Sequence, residues 1–265
     1  MRNSEQTDSE AGAFDAIMGD PGAPDGSLRR KIMDFAVSVD CNGKHIRRAR
    51  KEWDGDDGVD YNEPDGGPNF LALMDYFVHD YHFPGESKSM LDLFHAARGR
   101  DLPQKERELL EGWLNNRKAC YEVEEVRPGL DAVLRDLLTE RRHKVYSQNA
   151  SRRFVKRDLL YARLTKLGDG WEMTGTAQVF AHRHKDRVVA HLRGAFEALR
   201  RETPSATLET YLKTSAPKIK RFLEALHRED SPKVTTATGR LVAFLREHLR
   251  APFRLPRSKS SPKEP

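Results

Sequence analysis

Cysteine is scarce in this sequence. The 265 residues include only Cys41 and Cys120, which lie far apart and outside any CxxC pair. This usage excludes a disulfide framework and a cysteine-rich zinc site, because both need several cysteines at suitable spacing. We expect both thiols to be buried in the core.

Long apolar runs are also lacking. The sequence contains no stretch of about 18 apolar residues, the length that a membrane-spanning helix needs. The amino terminus, MRNSEQTDSEAGAFD, has no basic start followed by an apolar run, so it does not resemble a signal peptide. We therefore expect a cytoplasmic protein without a membrane span.

The common catalytic motifs are absent. The sequence contains no GxSxG, GxxxxGK(S/T), GxGxxG or HExxH. Ser147, Ser151 and Cys120 stand in no sequence context that would activate a nucleophile, so we expect structural roles for them. Residues distant in sequence can still assemble a site, but the pattern favours binding over catalysis.

Charged residues are abundant but unevenly distributed. They make up 33% of the chain against 37% hydrophobic residues, which is typical of a rather polar globular protein, and the net charge is +5. Residues 54–65 are acidic, whereas 141–157, 182–187 and the C-terminal tail are basic. Basic patches can contact nucleic-acid phosphates or acidic proteins, and they can equally be solvated surfaces.

Helical periodicity dominates the first part of the chain. Residues 1–27 are rich in Gly, Pro, Asp and Ser, which predicts a disordered leader. Apolar residues then recur every three or four positions, with Ser27 and Asp101 as candidate N-caps and a clear helix from Asn69 to Tyr81. The sequence predicts a helical region over 28–118.

The periodicity changes after this region. CYEVEEVRPG alternates between apolar and polar residues, four further short apolar segments follow, and Gly168-Asp169-Gly170 is a hairpin signal. The pattern over residues 119–181 therefore predicts a small five-stranded antiparallel β barrel-like module. Helical spacing returns over 182–250, and 251–265 predicts a disordered basic tail. The expected fold class is α+β, with helical regions on both sides of the β module.

Four segments in the middle of the chain carry a resemblance to a known group of proteins. They are FVHDYHFPGESKSMLDLF, LPQKERELLEGWLNNRKACYEVEEVRPG, LRDLLTERRHKVY and DLLYARLTKLGDGWEMTGTAQVF. Over residues 70–180 the chain resembles an uncharacterised bacterial family often associated with a C-terminal SEC-C zinc motif. The resemblance implies helices that lead into a small β module. It implies no catalytic residues, and the zinc motif is absent because RLPRSKSSPKEP contains no cysteine.

A basic segment with interleaved aromatic residues is the candidate binding surface. A curled sheet could present its cations to a phosphate backbone and stack a base on an exposed ring. Tyr146 and Phe154 could equally belong to the core. The candidate residues are Arg141, Arg142, Lys144, Tyr146, Arg152, Arg153, Phe154, Lys156 and Arg157. We expect a binding or scaffold protein without a cofactor, and the sequence leaves open whether the partner is a protein or a nucleic acid.

A metal-dependent enzyme is the alternative hypothesis. In a helix that starts at Asn69, Asp75, His79 and His82 fall on one face, because they are spaced i, i+4 and i+7. Two imidazoles and a carboxylate could bind a divalent metal and leave positions open for water. The same residues could instead be the polar edge of an amphipathic helix.

Two other patterns suggest metal sites only weakly. His182 and His184 would share one side of a strand, but the basic residues around them would repel a cation, so we expect a basic surface. The acidic loop over 54–65 has the composition of a calcium loop. Gly58 falls one position early for an EF-hand, however, and no Glu closes the loop.

Overall fold

The computed structural model describes residues 24–55 and 67–230. The expected leader lies outside the described residues up to residue 23. Most of the acidic loop, the expected last helix that ends near residue 250, and the tail over 251–265 also lie outside them.

Helices form the first part of the described chain. They are α1 (Pro24–Val39), α2 (Lys44–Asp54), α3 (Gly67–His79), α4 (Met90–Arg98) and α5 (Gln104–Leu114). Helix α4 begins with a capping box, in which the Ser89 hydroxyl accepts from the Asp92 amide and the Asp92 carboxylate accepts from the Ser89 amide. Two orphan amides at the helix start are thereby satisfied.

Both N-caps expected from the sequence are wrong. Helix α1 begins at Pro24, so Ser27 lies inside it, and its hydroxyl donates to Glu106 Oε1 of α5 at 2.8 Å. Asp101 lies in a short 3-10 turn, and α5 begins one residue after Pro103. Pro24 is the first residue of α1, where the fixed φ of proline suits a helix, and Pro103 is the N-cap of α5.

Within the described residues, five strands form one sheet after the helical region. They are β1 (Arg117–Arg127), β2 (Asp131–Asp136), β3 (Arg142–Tyr146), β4 (Leu159–Leu167) and β5 (Gly170–Phe180). Their order is β1-β2-β3-β5-β4, and β4 also pairs with β1, so the pairing closes on itself. A short helix, α6 (Gln148–Ser151), lies between β3 and β4.

The expectation of an antiparallel sheet is wrong, since the sheet is mixed. Strands β3 and β5 pair in parallel through two residue pairs, Val145 with Trp171 and Tyr146 with Glu172. The reason is geometric, because strand directions cannot alternate all the way around a closed ring with an odd number of strands. One neighbouring pair must be parallel, and here it is the shortest pairing. The α+β class itself is confirmed.

Up to residue 230, three helices follow the sheet. They are α7 (Lys185–Glu202), α8 (Leu208–Thr214) and α9 (Ala216–Asp230). Their apolar side chains join those of the sheet in one buried cluster, represented by Tyr121, Leu134, Leu164, Leu192 and Leu223. Two further clusters are formed mainly by α1 to α5, and one of them includes Ala216 of α9, so the described part of the chain has a helical core beside the core of the sheet.

The helical layer approaches the sheet closely at Gly112 of α5. A Cβ at this position would lie 2.4 Å from the backbone oxygen of Lys166 in β4. Only glycine fits a contact of this kind without moving backbone.

The chain divides by its contacts into a unit of Met1–Leu226 and a unit of His227–Pro265. Over the described ranges, no helix combines the length and apolar character needed to cross a membrane. Cys120 is buried as expected, but Cys41 is exposed, so the expectation of two buried thiols is wrong for Cys41. Burial raises the pKa of Cys120, which makes this thiol inert.

Candidate functional site

The two candidate cations on β3 are paired with carboxylates, each of which also contacts a further arginine. Arg142 Nε lies 2.6 Å from Glu124 Oε2 of β1, and Lys144 Nζ lies 3.7 Å from Asp131 Oδ2 of β2. Arg141 is exposed immediately before β3. Because alternate residues of a strand share a face, Arg142 and Lys144 lie in one mixed-charge row across β1 to β3.

The basic residues of the loop between α6 and β4 are different. Arg152, Arg153 and Lys156 are exposed, and they form no ion pair with any residue that the structure describes. We call these three residues the loop cations. Their charge is available to a partner, which distinguishes them from the paired cations of the strands.

The loop that carries these cations is held on the sheet by backbone hydrogen bonds. Arg157 N donates to Val123 O at 2.8 Å, and Val123 N donates to Asp158 O at 2.9 Å. Arg157 has a φ of 79°, an uncommon conformation for a residue with a side chain, and its guanidinium lies 3.3 Å from His182 Nδ1. The Asp158 carboxylate accepts from the Val155 amide at 2.8 Å. The loop therefore has a defined path along β1.

The start of the loop is fixed to the turn between β1 and β2. Gly129 N donates to Ser151 Oγ at 3.0 Å, and a Cβ at Gly129 would lie 3.4 Å from Arg152 Nε. Gly129 has a φ of 80°, so glycine suits this turn for a conformational reason as well. Arg152 is thus held over the turn.

Exposed apolar side chains accompany the loop cations. Leu130 at the β1–β2 turn is 61% exposed, Tyr146 at the end of β3 is 47% exposed, and Val155 in the loop is 64% exposed. Tyr146 pairs with Asp131, the neighbour of Leu130, so these two side chains lie at the same end of the sheet. We call the loop cations together with Leu130, Tyr146 and Val155 the loop surface.

Phe154 does not belong to this exposed set. It is half-buried and packs against the main core cluster. Of the two aromatic residues expected to interleave with the cations, Tyr146 is therefore exposed and Phe154 contributes to the core. A strand-like alternation cannot hold over residues 152–158, because this segment is a loop.

The alternative metal site is not assembled. The Asp75 carboxylate is occupied by Lys118 Nζ at 2.7 Å and by Arg163 Nε at 2.8 Å. Helix α3 ends at His79, so His82 lies beyond it and does not continue the face that the spacing implied. Within residues 24–55 and 67–230, no three His, Cys, Asp or Glu side chains form a group that could hold a metal.

Asp75 instead belongs to a buried ionic network between α3 and the sheet. Arg163 of β4 is fully buried and contacts the carboxylates of Asp75 and Asp80, with Nη2 to Asp75 Oδ2 at 3.1 Å and Nη1 to Asp80 Oδ1 at 3.2 Å. Asn116 accepts a further hydrogen bond from the same guanidinium. The two cations, Arg163 and Lys118, hold the pKa of Asp75 far below its usual range despite its burial.

His79 lies beside this network without a charge. Its Nδ1 is 3.4 Å from Asn116 Nδ2, which can only donate, so Nδ1 accepts this hydrogen bond. Removal from water and the nearby Arg163 guanidinium lower the pKa of His79 to about 3. The neutral ring therefore serves as a hydrogen-bond acceptor beside the buried ionic network.

The segment with His182 and His184 forms a 3-10 turn and not a strand. His184 is buried, so the expected basic surface is wrong for it. His182 Nε2 lies 3.0 Å from Glu122 Oε1, and Lys185 Nζ lies 2.8 Å from Glu122 Oε2. Hydrogen bonds from Lys185, Arg135 and His182 outweigh burial and lower the pKa of Glu122 to about 2.

Most of the acidic loop expected from the sequence lies outside the described residues. Asp54 is buried at the end of α2, whereas Asp56, Asp57 and Asp60 lie outside the described residues.

Two features of the site were not found from the sequence. Arg163 appears there as one polar position in an apolar strand, and its partners Asp75 and Asp80 lie 88 and 83 residues away. The loop cations were grouped with the strand cations because pairing with Glu124 and Asp131 depends on strand register. The sequence contained one signal for the buried network of Arg163: a single arginine within the apolar segment DLLYARLTKL would be costly to bury without carboxylates beside it.

Comparison with known proteins supports a family assignment. The model of DUF7986, a family of unknown function, matches residues 59–208, which is more than half of the chain. No curated protein and no solved structure matches. The match agrees with the expected resemblance to an uncharacterised family, while the association with SEC-C and the bacterial origin stay predictions. The chain belongs to the DUF7986 family, whose match spans helices α3 to α7 and the whole sheet.

Proposed function

We propose that this protein is a binding protein whose loop surface holds an acidic segment of a partner protein. The observation that carries the proposal is the presence of three cations without an ion pair to any described residue, together with three exposed apolar side chains, on a hydrogen-bonded loop, the β1–β2 turn and the end of β3. A segment with both carboxylates and apolar side chains complements such a surface in charge and in apolar character.

The arrangement favours a protein partner over a nucleic acid. Nucleic-acid binding draws its affinity from many phosphate contacts, and the strand cations that would extend the basic area are paired with Glu124 and Asp131. The loop surface offers one exposed ring for stacking, Tyr146, and Lys144 Nζ already lies 5.3 Å from its centroid. Leu130 and Val155 offer apolar contacts that a phosphate backbone does not use.

The fixed loop supports binding energetically. Its hydrogen bonds to Val123 and Gly129 hold the backbone before a partner arrives, so less conformational entropy is lost on binding. Scaffold proteins need no catalytic group, and the half-buried His79 and the buried Asp75 fit a structural role better than proton transfer.

Selection from a displayed library of random peptides tests the proposal. The bait is the full chain, and the comparison is Arg152→Glu/Arg153→Glu. A matched control is Arg98→Glu/Arg100→Glu, which changes the net charge equally at two other exposed arginines. We expect enriched peptides to contain Asp or Glu together with apolar residues, and we expect the loop variant, but not the control, to lose them.

Two results would contradict the proposal. Peptides retained equally by both variants would show that the loop cations are not the binding surface. Tight binding of RNA or DNA, lost in the loop variant and strongly weakened by salt, would replace the protein partner with a nucleic acid.

A further inference from the structure

A cavity of about 370 Å³ lies between the helical layer and the sheet. Its size falls within the range of small-molecule sites, about 300–1,000 Å³. It is lined by residues of α1, α3, α5 and β5 and shares none with the loop surface. The cavity is therefore a feature separate from the proposed partner site.

The walls of the cavity are largely apolar and adaptable. Met33 from α1, Met74 from α3 and Met173 from β5 all line it, together with Ile32 and Val78. Methionine side chains have three rotatable bonds and a polarisable sulfur, so they fit ligands of varied shape. Such walls suit an apolar chain or ring.

Arg29 provides a positive charge in the wall of this cavity. Its guanidinium lies 4.8 Å from the ring centroid of Trp113, another wall residue, and it has no ion pair with any described residue. Asp25, one turn earlier in α1, also lines the cavity without an ion pair to Arg29. Glu172 is close enough for Arg29 to lower its pKa, but burial has the larger effect and raises that pKa above its usual value.

Asp75 and His79, two further polar residues of the wall, are already occupied. The Asp75 carboxylate is compensated by Lys118 and Arg163, and His79 is neutral. Neither group competes for Arg29 as a free charge. An anionic group in the cavity would therefore meet Arg29 as its unpaired cationic partner, in surroundings where water is partly excluded and charge-assisted hydrogen bonds are strong.

We propose that this cavity binds a small amphipathic carboxylate, with its head group on Arg29 and its apolar part among Met33, Met74 and Met173. The inference is independent of the proposed function, because it concerns a different surface and a different class of ligand. Ligand recognition by a few polar groups in an apolar pocket is the usual pattern of small-molecule sites.

Titration of the full chain, labelled at the methionine methyl groups, tests the inference by NMR. The probes are octanoate, 1-octanol and octylammonium, which share an alkyl chain and differ in head-group charge. We expect octanoate to shift the signals of Met33, Met74 and Met173 but not that of Met90, which does not line the cavity. Octanoate should bind about tenfold more tightly than 1-octanol, because it gains hydrogen bonds to a charged group.

Two variants test separately the role of the Arg29 charge and the role of the space beside Met74. Arg29→Gln should weaken octanoate about tenfold, to the level of 1-octanol. Arg100→Gln, at an exposed arginine outside the cavity, should leave binding unchanged. Met74→Trp should abolish binding of all probes by filling the space. Unshifted methyl signals with every probe, equal binding of octanoate and octylammonium, or unchanged octanoate binding by Arg29→Gln would each overturn the inference.

Discussion

Arg163 shows how a single residue can connect two layers of the fold. It lies opposite Lys118 in the pairing of β4 with β1, and like charges in this arrangement repel. The Asp75 carboxylate contacts both cations, and Asp80 contacts Arg163 from the end of α3. The helical layer therefore supplies the charge that allows these two strands to pair.

Replacement of Arg163 by Met should destabilise the protein strongly. The change leaves Asp75 and Asp80 buried with only Lys118 to compensate them, and breaking a buried ion pair from one side costs about 3–5 kcal/mol. Urea unfolding followed by circular dichroism measures this loss. Lys166→Met, at an exposed cation of the same strand, is the control and should cost less than about 1 kcal/mol. Similar small losses in both variants would mean that the network contributes little.

The lowered pKa of Glu122 predicts how the stability of the fold depends on pH. Its pKa is about 2 in the folded protein against an ordinary value of 4.5, so the unfolded chain takes up the proton first as pH falls. The stabilisation from this carboxylate is therefore complete above about pH 4.5 and is lost as pH falls towards about 2. Glu122→Gln should be less stable at neutral pH and should lose less stability on acidification.

Unfolding in urea at pH 7, 4 and 3 measures the effect of Glu122. Glu125→Gln, on the exposed part of the same strand, should follow the wild-type dependence on pH. Parallel curves for wild type and Glu122→Gln would refute the assigned pKa shift.

At the scale of the element, local patterns predicted much of the fold. The five apolar segments after Arg117 correspond to β1 to β5, because alternation and turn residues act over a few neighbouring positions. The parallel pairing of β3 with β5 could not be predicted, since it depends on how strands distant in sequence close the ring. The pairing of Arg142 with Glu124 was missed for the same reason.

The contact between α5 and β4 leads to a prediction for glycine. Gly112→Ala should destabilise by about 1–3 kcal/mol, because the added Cβ would overlap the Lys166 carbonyl and force the helix away from the strand. Gly194→Ala in α7 is the matched control. Nothing lies within 4 Å of its new Cβ, so helix propensity should make it stabilising by about 0.5–1 kcal/mol. Thermal unfolding would contradict the account if both substitutions changed stability in the same direction.

At the scale of the whole molecule, the cationic side chains fall into two groups, those that form ion pairs within the fold and those that do not. Most of the ion pairs described above hold strands and helices together, whereas other cations, including the loop cations, Arg141 and Arg29, have no carboxylate partner among the described residues. The sequence located the basic segment but could not separate its paired from its unpaired members. Pairing on the strands depends on register, and it separates Arg142 and Lys144, which lie beside carboxylates, from Arg141 and the loop cations, which form no ion pair with a described residue.

The affinity of a selected acidic peptide for wild type, Arg152→Glu/Arg153→Glu and Arg98→Glu/Arg100→Glu tests the central claim most directly. Fluorescence anisotropy at low and at physiological salt gives each Kd. The account predicts at least about a tenfold loss in the loop variant, wild-type affinity in the control, and weaker binding at higher salt. Equal affinity in all three proteins would contradict the loop surface as the site of binding.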